Sequence, residues 1–148
     1  MHTKKAVYPI FKRGMDVIIA IVLLVIFLPM YPIVAAIIRL DSPGKALFSQ
    51  WRVGENHRLF KMYKLRTMHT GAERSAHLLK DSGQIFAARE DDPRVTRVGR
   101  VLRKLSLDEL PQLVNVLKGE MSFVGPRPLV LSEMNSMTRI ALERLNVR

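Results

Sequence analysis

The sequence contains no cysteine, no internal repeat and no low-complexity stretch. Without cysteine, disulfide bonds and thiolate catalysis are both excluded, and the composition is consistent with a reducing compartment. The histidines lack the close spacing of metal ligands, so we interpret all four as surface residues. They are His2, His57, His69 and His77. The chemistry of the chain has to be sought in its charged residues.

Acidic residues are scarce: 13 Asp and Glu oppose 24 Lys and Arg, which gives a formal net charge of +11. This balance predicts an anionic partner, either nucleic acid, an acidic lipid surface or a phosphorylated substrate. The chain has 148 residues, 48% of them hydrophobic, and part of this apolar content is concentrated near the N-terminus. We therefore expect one small domain and a membrane element, which favours the lipid surface and the phosphorylated substrate.

One uncharged run, residues 17–38, would extend roughly 33 Å as a helix, which is enough to cross a bilayer. Pro29 and Pro32 interrupt this run, and basic residues flank it at both ends. A kinked helix that spans the membrane is the more common outcome of such a pattern. Basic flanks held on one side instead favour a re-entrant helix that bends and returns. On either interpretation, Asp16 is predicted to pair with Arg13 at the membrane boundary.

Two adjacent carboxylates, Asp108 and Glu109, lie in a basic part of the sequence. Ser106 and Glu109 match a capping box, and Asp108 is a good N-cap for a helix that ends at Gly119. Spacing alone therefore favours a capping role. The same acids among arginines could instead bind an anion, or attack phosphorus to give an acyl phosphate. The local pattern does not choose between these roles.

The segment that follows the membrane run predicts a β-hairpin, with strands over residues 46–51 and 59–65. Its second strand carries Lys61, Lys64 and Arg66, which face either solvent or a phosphate group. The spacing alone does not separate these two possibilities.

Three helices are predicted in the rest of the chain, over residues 70–79, 94–105 and 129–147. The second carries an arginine at every third position, and such a basic stripe could lie on anionic lipid headgroups. Arg127 lies between two prolines that stiffen its backbone, which suits it to bind a phosphate, although an exposed loop arginine would look the same.

Five short segments together carry a resemblance to a known family. They are DSPG at 41–44, FKMYKLRTM at 60–68, DPR at 92–94, SLDELPQ at 106–112 and VGPRPL at 124–129. In this order, from about Lys12 to Arg148, the chain resembles the bacterial sugar transferases, which are monotopic polyprenyl-phosphate phosphoglycosyl transferases. The family pattern usually continues beyond the equivalent of Arg148, so the resemblance also predicts a C-terminally shortened member.

The resemblance implies an enzyme that transfers a sugar 1-phosphate from a UDP-sugar to a polyprenyl phosphate, such as undecaprenyl phosphate, and releases UMP. It implies that Asp108 is the nucleophile and forms a covalent phosphosugar intermediate, and that Glu109 holds Mg²⁺. It also implies that Lys64, Arg103 and Arg127 bind the substrate phosphates.

The resemblance further implies a place in the cell, which is the cytoplasmic face of the bacterial inner membrane. There the enzyme would carry out the first membrane step of surface-glycan or glycoprotein synthesis. Its partners would be the UDP-sugar, the polyprenyl phosphate and anionic lipids, and not nucleic acid.

The fold expected from these patterns is α+β and mainly helical. A basic segment and a re-entrant membrane helix would occupy residues 1–40. A cytoplasmic catalytic domain would follow over residues 41–148, with the small β-hairpin and amphipathic interfacial helices. Two rival interpretations stay open: an inactive shortened homologue, and a membrane-anchored basic protein that binds lipid or nucleic acid. In the second rival, Asp108 and Glu109 would only cap a helix.

Overall fold

The computed structural model describes residues 4–72 and 92–130. Its first element is one long helix, α1, over Lys4–Asp41, which continues through Pro29 and Pro32. The part Ile10–Asp41 is long and apolar enough to cross a membrane. The predicted membrane helix is therefore present, and neither proline ends it.

A three-stranded antiparallel sheet follows α1. β1 is Leu47–Val53 and β2 is Leu59–Leu65. The two strands pair in antiparallel register, which confirms the predicted hairpin. A short 3₁₀ turn, Glu55–His57, connects them.

The third strand, β3, is Leu129–Val130, which pairs with the other edge of β1. The sequence pattern predicted a helix from residue 129, and that prediction is wrong for these two residues. Leu129 is buried opposite Val53, so pairing with β1 removes its side chain from water. Residues 131–147 of the predicted helix lie outside the described part of the chain.

The second helix, α2, is Arg97–Lys104 and starts three residues later than predicted. Arg94 is not part of it, because its backbone N–H and its guanidinium both donate to the buried carboxylate of Asp92. The Thr96 hydroxyl caps α2 by accepting a hydrogen bond from the backbone N–H of Gly99. Most of the helix predicted over residues 70–79 lies in the segment 73–91, outside the described residues.

A 3₁₀ turn, Leu107–Gln112, leads directly into the third helix, α3, which is Leu113–Lys118. Gly119 ends α3 in a left-handed conformation with φ of 79°, so the predicted helix stop at this glycine is confirmed. The mainly helical α+β architecture expected from the sequence is thereby confirmed.

One face of α1 packs against the small domain. Phe27 and Ile38 join a buried cluster with Leu65 of β2 and Leu102 of α2. Nearer the N-terminus, Ala20 packs against α3 in a second cluster. The opposite face of α1 leaves many large apolar side chains exposed, among them Ile18, Val25, Ile33 and Leu40. An exposed apolar face of this length is typical of a surface that meets lipid.

Both ends of this packed face bind the same domain through polar groups. The Arg13 guanidinium donates to the carbonyl oxygens of Val116 and Leu117, at 2.6 and 2.8 Å. At the other end, the Asp41 carboxylate accepts from the backbone N–H of Val98 at 3.0 Å, in the first turn of α2. The domain therefore holds α1 at two points 28 positions apart in the chain.

The predicted pair between Arg13 and Asp16 does not form. Asp16 is buried, and its carboxylate accepts a hydrogen bond from the backbone N–H of Phe123 at 3.3 Å. Each of the two side chains satisfies backbone groups of the domain instead. The carbonyl groups at the end of α3 and the N–H of Phe123 gain hydrogen-bond partners in this way. Satisfying them stabilises the fold more than an ion pair between Arg13 and Asp16 at the surface would.

Candidate active site

Four of the predicted site residues meet where β2 passes the 3₁₀ turn. The Lys64 ammonium lies 3.7 Å from the Asp108 carboxylate and 3.4 Å from that of Glu109. The Arg127 guanidinium lies 3.6 Å from the same oxygen of Glu109. Asp108 is buried, whereas the side chains of Glu109 and Arg127 are 46% and 74% exposed. The two acids therefore occupy different environments, although they are adjacent in the chain.

The 3₁₀ turn, and not a helix cap, positions Asp108. Ser106 precedes the turn in a left-handed conformation with φ of 55°, and its side chain makes no capping bond. The predicted capping box between Ser106 and Glu109 is therefore wrong, as is the prediction that Asp108 is an N-cap. Because the chain already turns at Ser106, Asp108 falls inside the turn and its carboxylate is buried beside Lys64.

Burial raises the pKa of Asp108 above its ordinary value, and the neighbouring charge of Glu109 adds to this effect. The positive charges of Lys64 and Arg103 oppose both effects and lower the pKa. A buried carboxylate that is held ionised by nearby cations has few water molecules to lose before it reacts. The pKa of Asp92, in contrast, is lowered by its hydrogen bonds with Arg94.

Arg103 reaches the site from α2. Its Nε donates to the Thr67 hydroxyl at 2.9 Å, which fixes the guanidinium against the end of β2. This contact depends on a close approach, since Gly99 of α2 lies directly over Thr67. A Cβ atom at Gly99 would lie 2.7 Å from the Thr67 Cα and still closer to its carbonyl oxygen. A glycine is therefore required at this crossing.

A cleft of about 1070 Å³ opens around Asp108. Two parts of its lining differ in chemistry. The first, which we name the sheet wall, consists of Phe48, Gln50 and Arg52 on β1. The second, the cationic wall, consists of Lys45, Arg100 and Lys104. Asp108, Glu109, Lys64, Arg103 and Arg127 also line this cleft, so all five predicted site residues share one cavity.

Comparison with known proteins identifies the family. Residues 7–148 match the family described as bacterial sugar transferase. The chain belongs to this family. The resemblance read from the five short segments is thereby confirmed.

Several relatives of this bacterial sugar transferase carry names that state an activity. A UDP-N-acetylgalactosamine-undecaprenyl-phosphate N-acetylgalactosaminephosphotransferase of Aeromonas hydrophila is 47% identical, over 82% of this chain and 27% of that protein. A UDP-glucose:undecaprenyl-phosphate glucose-1-phosphate transferase of Caulobacter vibrioides is 49% identical, over 79% of this chain and 41% of that protein. The exopolysaccharide production protein ExoY of Rhizobium meliloti is 41% identical, over 93% of this chain and 64% of that protein.

The chain spans only part of the length of these three relatives, from 27% to 64%. The names of the first two describe sugar phosphotransferases that use undecaprenyl phosphate. The chain thus combines membership of the bacterial sugar transferase family with an apolar helix, α1, that is long enough to cross a membrane.

The three basic residues on and just after β2 make three different kinds of contact in this sugar transferase. Lys64 enters the site. Lys61 lies over the ring of Trp51, with its ammonium 5.2 Å from the ring centre. Arg66 donates to the carbonyl oxygens of Ile38, Ser42 and Pro43, where α1 ends. Of the three, Lys64 alone has its charged group beside Asp108 and Glu109.

Sequence reasoning missed Asn115, which is fully buried on α3. Its amide accepts from the Tyr63 N–H at 3.2 Å and donates to the Lys61 carbonyl at 2.7 Å, so it satisfies the free edge of β2 as another strand would. It also donates to the Glu120 carboxylate at 2.6 Å. The strand is thereby fixed next to Lys64. The signal in the sequence was an asparagine between valines in an apolar run, which predicts a buried, fully bonded amide.

Proposed function

We propose that this chain catalyses the transfer of a sugar 1-phosphate from a UDP-sugar to polyprenyl phosphate, with Asp108 as the covalent nucleophile. The observation that carries the proposal is the buried Asp108 carboxylate beside Lys64, inside a cleft whose charged lining residues are mostly lysine and arginine. Family membership and the names of the relatives support the same reaction class. A capping residue would need neither the burial nor the cations.

In the first step, an Asp108 carboxylate oxygen would attack the sugar-linked phosphorus of the UDP-sugar. The new bond is an aspartyl oxygen–phosphorus bond, and the bond that breaks joins this phosphorus to the oxygen bridging the two phosphates. That oxygen leaves with the electron pair as part of UMP. In the second step, a phosphate oxygen of the polyprenyl phosphate attacks the same phosphorus and releases the carboxylate. The product is the diphosphate-linked sugar.

The basic residues would stabilise the charge that builds up on the phosphate oxygens. Lys64 is placed for this role because its ammonium lies within 3.7 Å of the attacking carboxylate. Arg103 is fixed by Thr67, and Arg127 reaches the rim beside Glu109. Fixed cations are effective here because they need no rearrangement as the transition state forms.

A divalent cation could bind this site through one protein carboxylate together with the phosphates of the substrate. Within residues 4–72 and 92–130, no group of three or more His, Asp or Glu side chains is placed to share a metal ion. Mg²⁺ commonly takes only one or two protein carboxylates and completes its shell with substrate phosphates and water. The half-exposed carboxylate of Glu109 would hold it next to the diphosphate. When bound, Mg²⁺ would supply positive charge to the leaving phosphate.

As the pH is lowered, the activity is expected to be lost at a higher pH than it would be with a nucleophilic aspartate of ordinary pKa. Burial raises the pKa of Asp108, and only the ionised carboxylate attacks, so activity is lost as the pH falls through this raised value. Lys64→Gln removes the charge that lowers this pKa, and the acidic limb of kcat/KM should move to higher pH, together with a lower maximum rate. The measurement is UMP release as a function of pH.

The matched control for this variant is Lys61→Gln. Lys61 is on the same strand as Lys64, but its ammonium lies over Trp51 and not in the site. This variant should keep the pH profile of the wild type. An acidic limb that is identical in Lys64→Gln and the wild type would contradict the assignment of that limb to Asp108.

We further propose that α1 is re-entrant, with both ends at the cytoplasmic face of the membrane. Arg13 and Asp41 bind the same small domain, which supports placing the two ends of the helix on the same side of the membrane. From Arg13 to Asp41 a straight helix would cover about 42 Å, more than the roughly 30 Å of bilayer hydrocarbon. A helix that crossed the membrane once would leave one of these contacts without its partner.

The absence of native cysteine makes this topology simple to test. Thr3→Cys and Ser49→Cys place single thiols before and after the membrane segment. In intact cells, a membrane-impermeant maleimide should label neither variant, and it should label both after permeabilisation. Labelling of Thr3→Cys alone in intact cells would show a spanning helix and reject the re-entrant arrangement.

The transferase itself is tested by UMP release from a panel of UDP-sugars, with Mg²⁺ and undecaprenyl phosphate. We expect release that depends on at least one UDP-sugar. A chain that binds anionic lipid but releases no UMP from any of these sugars would instead be a binding protein or an inactive homologue.

A further inference from the structure

The sheet wall of the cleft is built differently from the rest of the site. Side chains alternate along β1, so Phe48, Gln50 and Arg52 share one face, while Ser49 and Trp51 lie on the other. In the antiparallel register, Phe48 is directly opposite Lys64, and Gln50 is opposite Met62. The sheet wall therefore starts beside the phosphate-binding lysine and leads away from it along the strand.

The polar groups of the sheet wall are fixed by contacts within the domain. Arg52 donates to the Gln50 side-chain oxygen at 2.9 Å and to the Pro128 carbonyl at 3.5 Å. With its oxygen occupied, the Gln50 amide offers its NH₂ group as the donor. Phe48 is half-buried and adds an aromatic ring at the end of the row nearest Lys64. An aromatic ring next to a fixed amide donor is a combination that suits a flat heterocycle with carbonyl groups.

We propose that the sheet wall is the nucleobase subsite, in which Phe48 stacks against a uracil ring and the Gln50 NH₂ group donates to the carbonyl oxygen at position 4 of that ring. This inference rests on the proposed function, because the base belongs to the UDP-sugar. Phe48 and Gln50 are about 7 Å apart along the strand, so the ring and the amide donor are both within reach of one pyrimidine.

The cationic wall does not fit a base equally well. Lys45, Arg100 and Lys104 offer charge without a ring to stack on, so that wall suits a phosphate. Cytosine, unlike uracil, carries an amino group at position 4, and two NH₂ groups cannot pair with each other. The Gln50 donor therefore also predicts a preference for uracil over cytosine.

The test is equilibrium binding of UMP and CMP to the full chain in lipid nanodiscs, measured by calorimetry. The wild type should bind UMP more tightly than CMP. Phe48→Leu should weaken UMP binding about tenfold, which corresponds to about 1.4 kcal/mol and is typical for the loss of base stacking. Phe48→Tyr keeps the ring and should bind as the wild type does. Gln50→Leu should bring the UMP and CMP affinities close together.

The same strand supplies matched controls. Trp51→Leu removes an aromatic ring, and Ser49→Ala a polar group, from the opposite face of β1, so both variants should bind UMP as the wild type does. Equal UMP affinity in Phe48→Leu and the wild type would overturn the subsite, and if UMP release persists the proposed function would stand without it. A wild-type chain that neither binds UMP nor releases it would overturn both.

Discussion

Asp108→Asn is expected to reduce UMP release by at least about a thousandfold, because an amide does not attack phosphorus as a carboxylate does. The wild type should in addition accumulate a covalent phosphosugar when the UDP-sugar is supplied without the lipid phosphate. The variant should accumulate none. Both results follow from a buried carboxylate whose nearest cation, Lys64, lies 3.7 Å away. The measurements are UMP release and the retention of radiolabelled sugar on the denatured protein.

The same substitution should leave the protein folded and at least as stable at neutral pH. The pKa of Asp108 is raised in the folded state, so its ionised form opposes folding once the pH exceeds the ordinary value. Asparagine is neutral and of similar shape, and it avoids this cost. The advantage in thermal stability of Asp108→Asn over the wild type should shrink as the pH falls and the wild-type aspartate becomes protonated.

Glu109→Gln serves as the comparison for these measurements. It removes a half-exposed charge beside Asp108, so it should slow the reaction without preventing the covalent intermediate altogether. A purely structural role of Asp108 predicts a different pattern, since asparagine has a similar shape and would leave UMP release unchanged. Full UMP release by Asp108→Asn would therefore reject the nucleophile.

Much of this architecture could be predicted from the sequence, because it depends on patterns that local chemistry fixes. The hairpin follows from two apolar strands around a Gly54 turn, and the end of α3 follows from Gly119. The long apolar helix α1 follows from an uncharged run that is long enough to cross a bilayer. These features require no knowledge of what the segments contact.

The errors arose where a specific contact, either two residues away or more than forty, overrode the periodic pattern. Arg94 fits the helical pattern of α2, but the buried carboxylate of Asp92 takes both its N–H and its guanidinium. Ser106 fits a capping box, but its left-handed backbone places Asp108 beside a lysine from another strand. Asn115 was missed because its partners are backbone groups more than fifty residues away. The spacing of residues along the chain does not identify such partners.

The roles of the site residues are a separate matter from the fold. Family resemblance assigned Asp108, Lys64 and Arg103 to one site, and the structure brings them to one cleft. Spacing could not have done this, because Lys64 and Asp108 are 44 positions apart and Lys61 carries the same charge on the same strand. What distinguishes Lys64 from Lys61 is the face of β2 that each occupies, and a one-residue change of register would exchange those faces.

Gly99→Ala is expected to destabilise the domain by about 1–3 kcal/mol, although alanine favours a helix over glycine by about 1 kcal/mol. The new methyl group would lie 2.7 Å from the Thr67 Cα, and the atoms it meets belong to the backbone, which cannot turn aside. α2 would have to move away from Thr67. Two hydrogen bonds would then be lost. In one, Arg103 donates to the Thr67 hydroxyl at 2.9 Å, and in the other the Thr96 N–H donates to the Thr67 carbonyl at 3.0 Å.

The measurement for Gly99→Ala is thermal unfolding in detergent, followed by UMP release at a temperature where the variant is still folded. Gly14→Ala is the matched control, because a Cβ at Gly14 on α1 meets no atom within 4 Å, and its stability should equal or exceed that of the wild type. A variant that unfolds early but, while folded, works at the wild-type rate would show that Arg103 does not need its fixed position. Equal unfolding temperatures for Gly99→Ala and Gly14→Ala would mean that α2 can shift without loss of stability. The close crossing over Thr67 would then not be what holds Arg103 in the site.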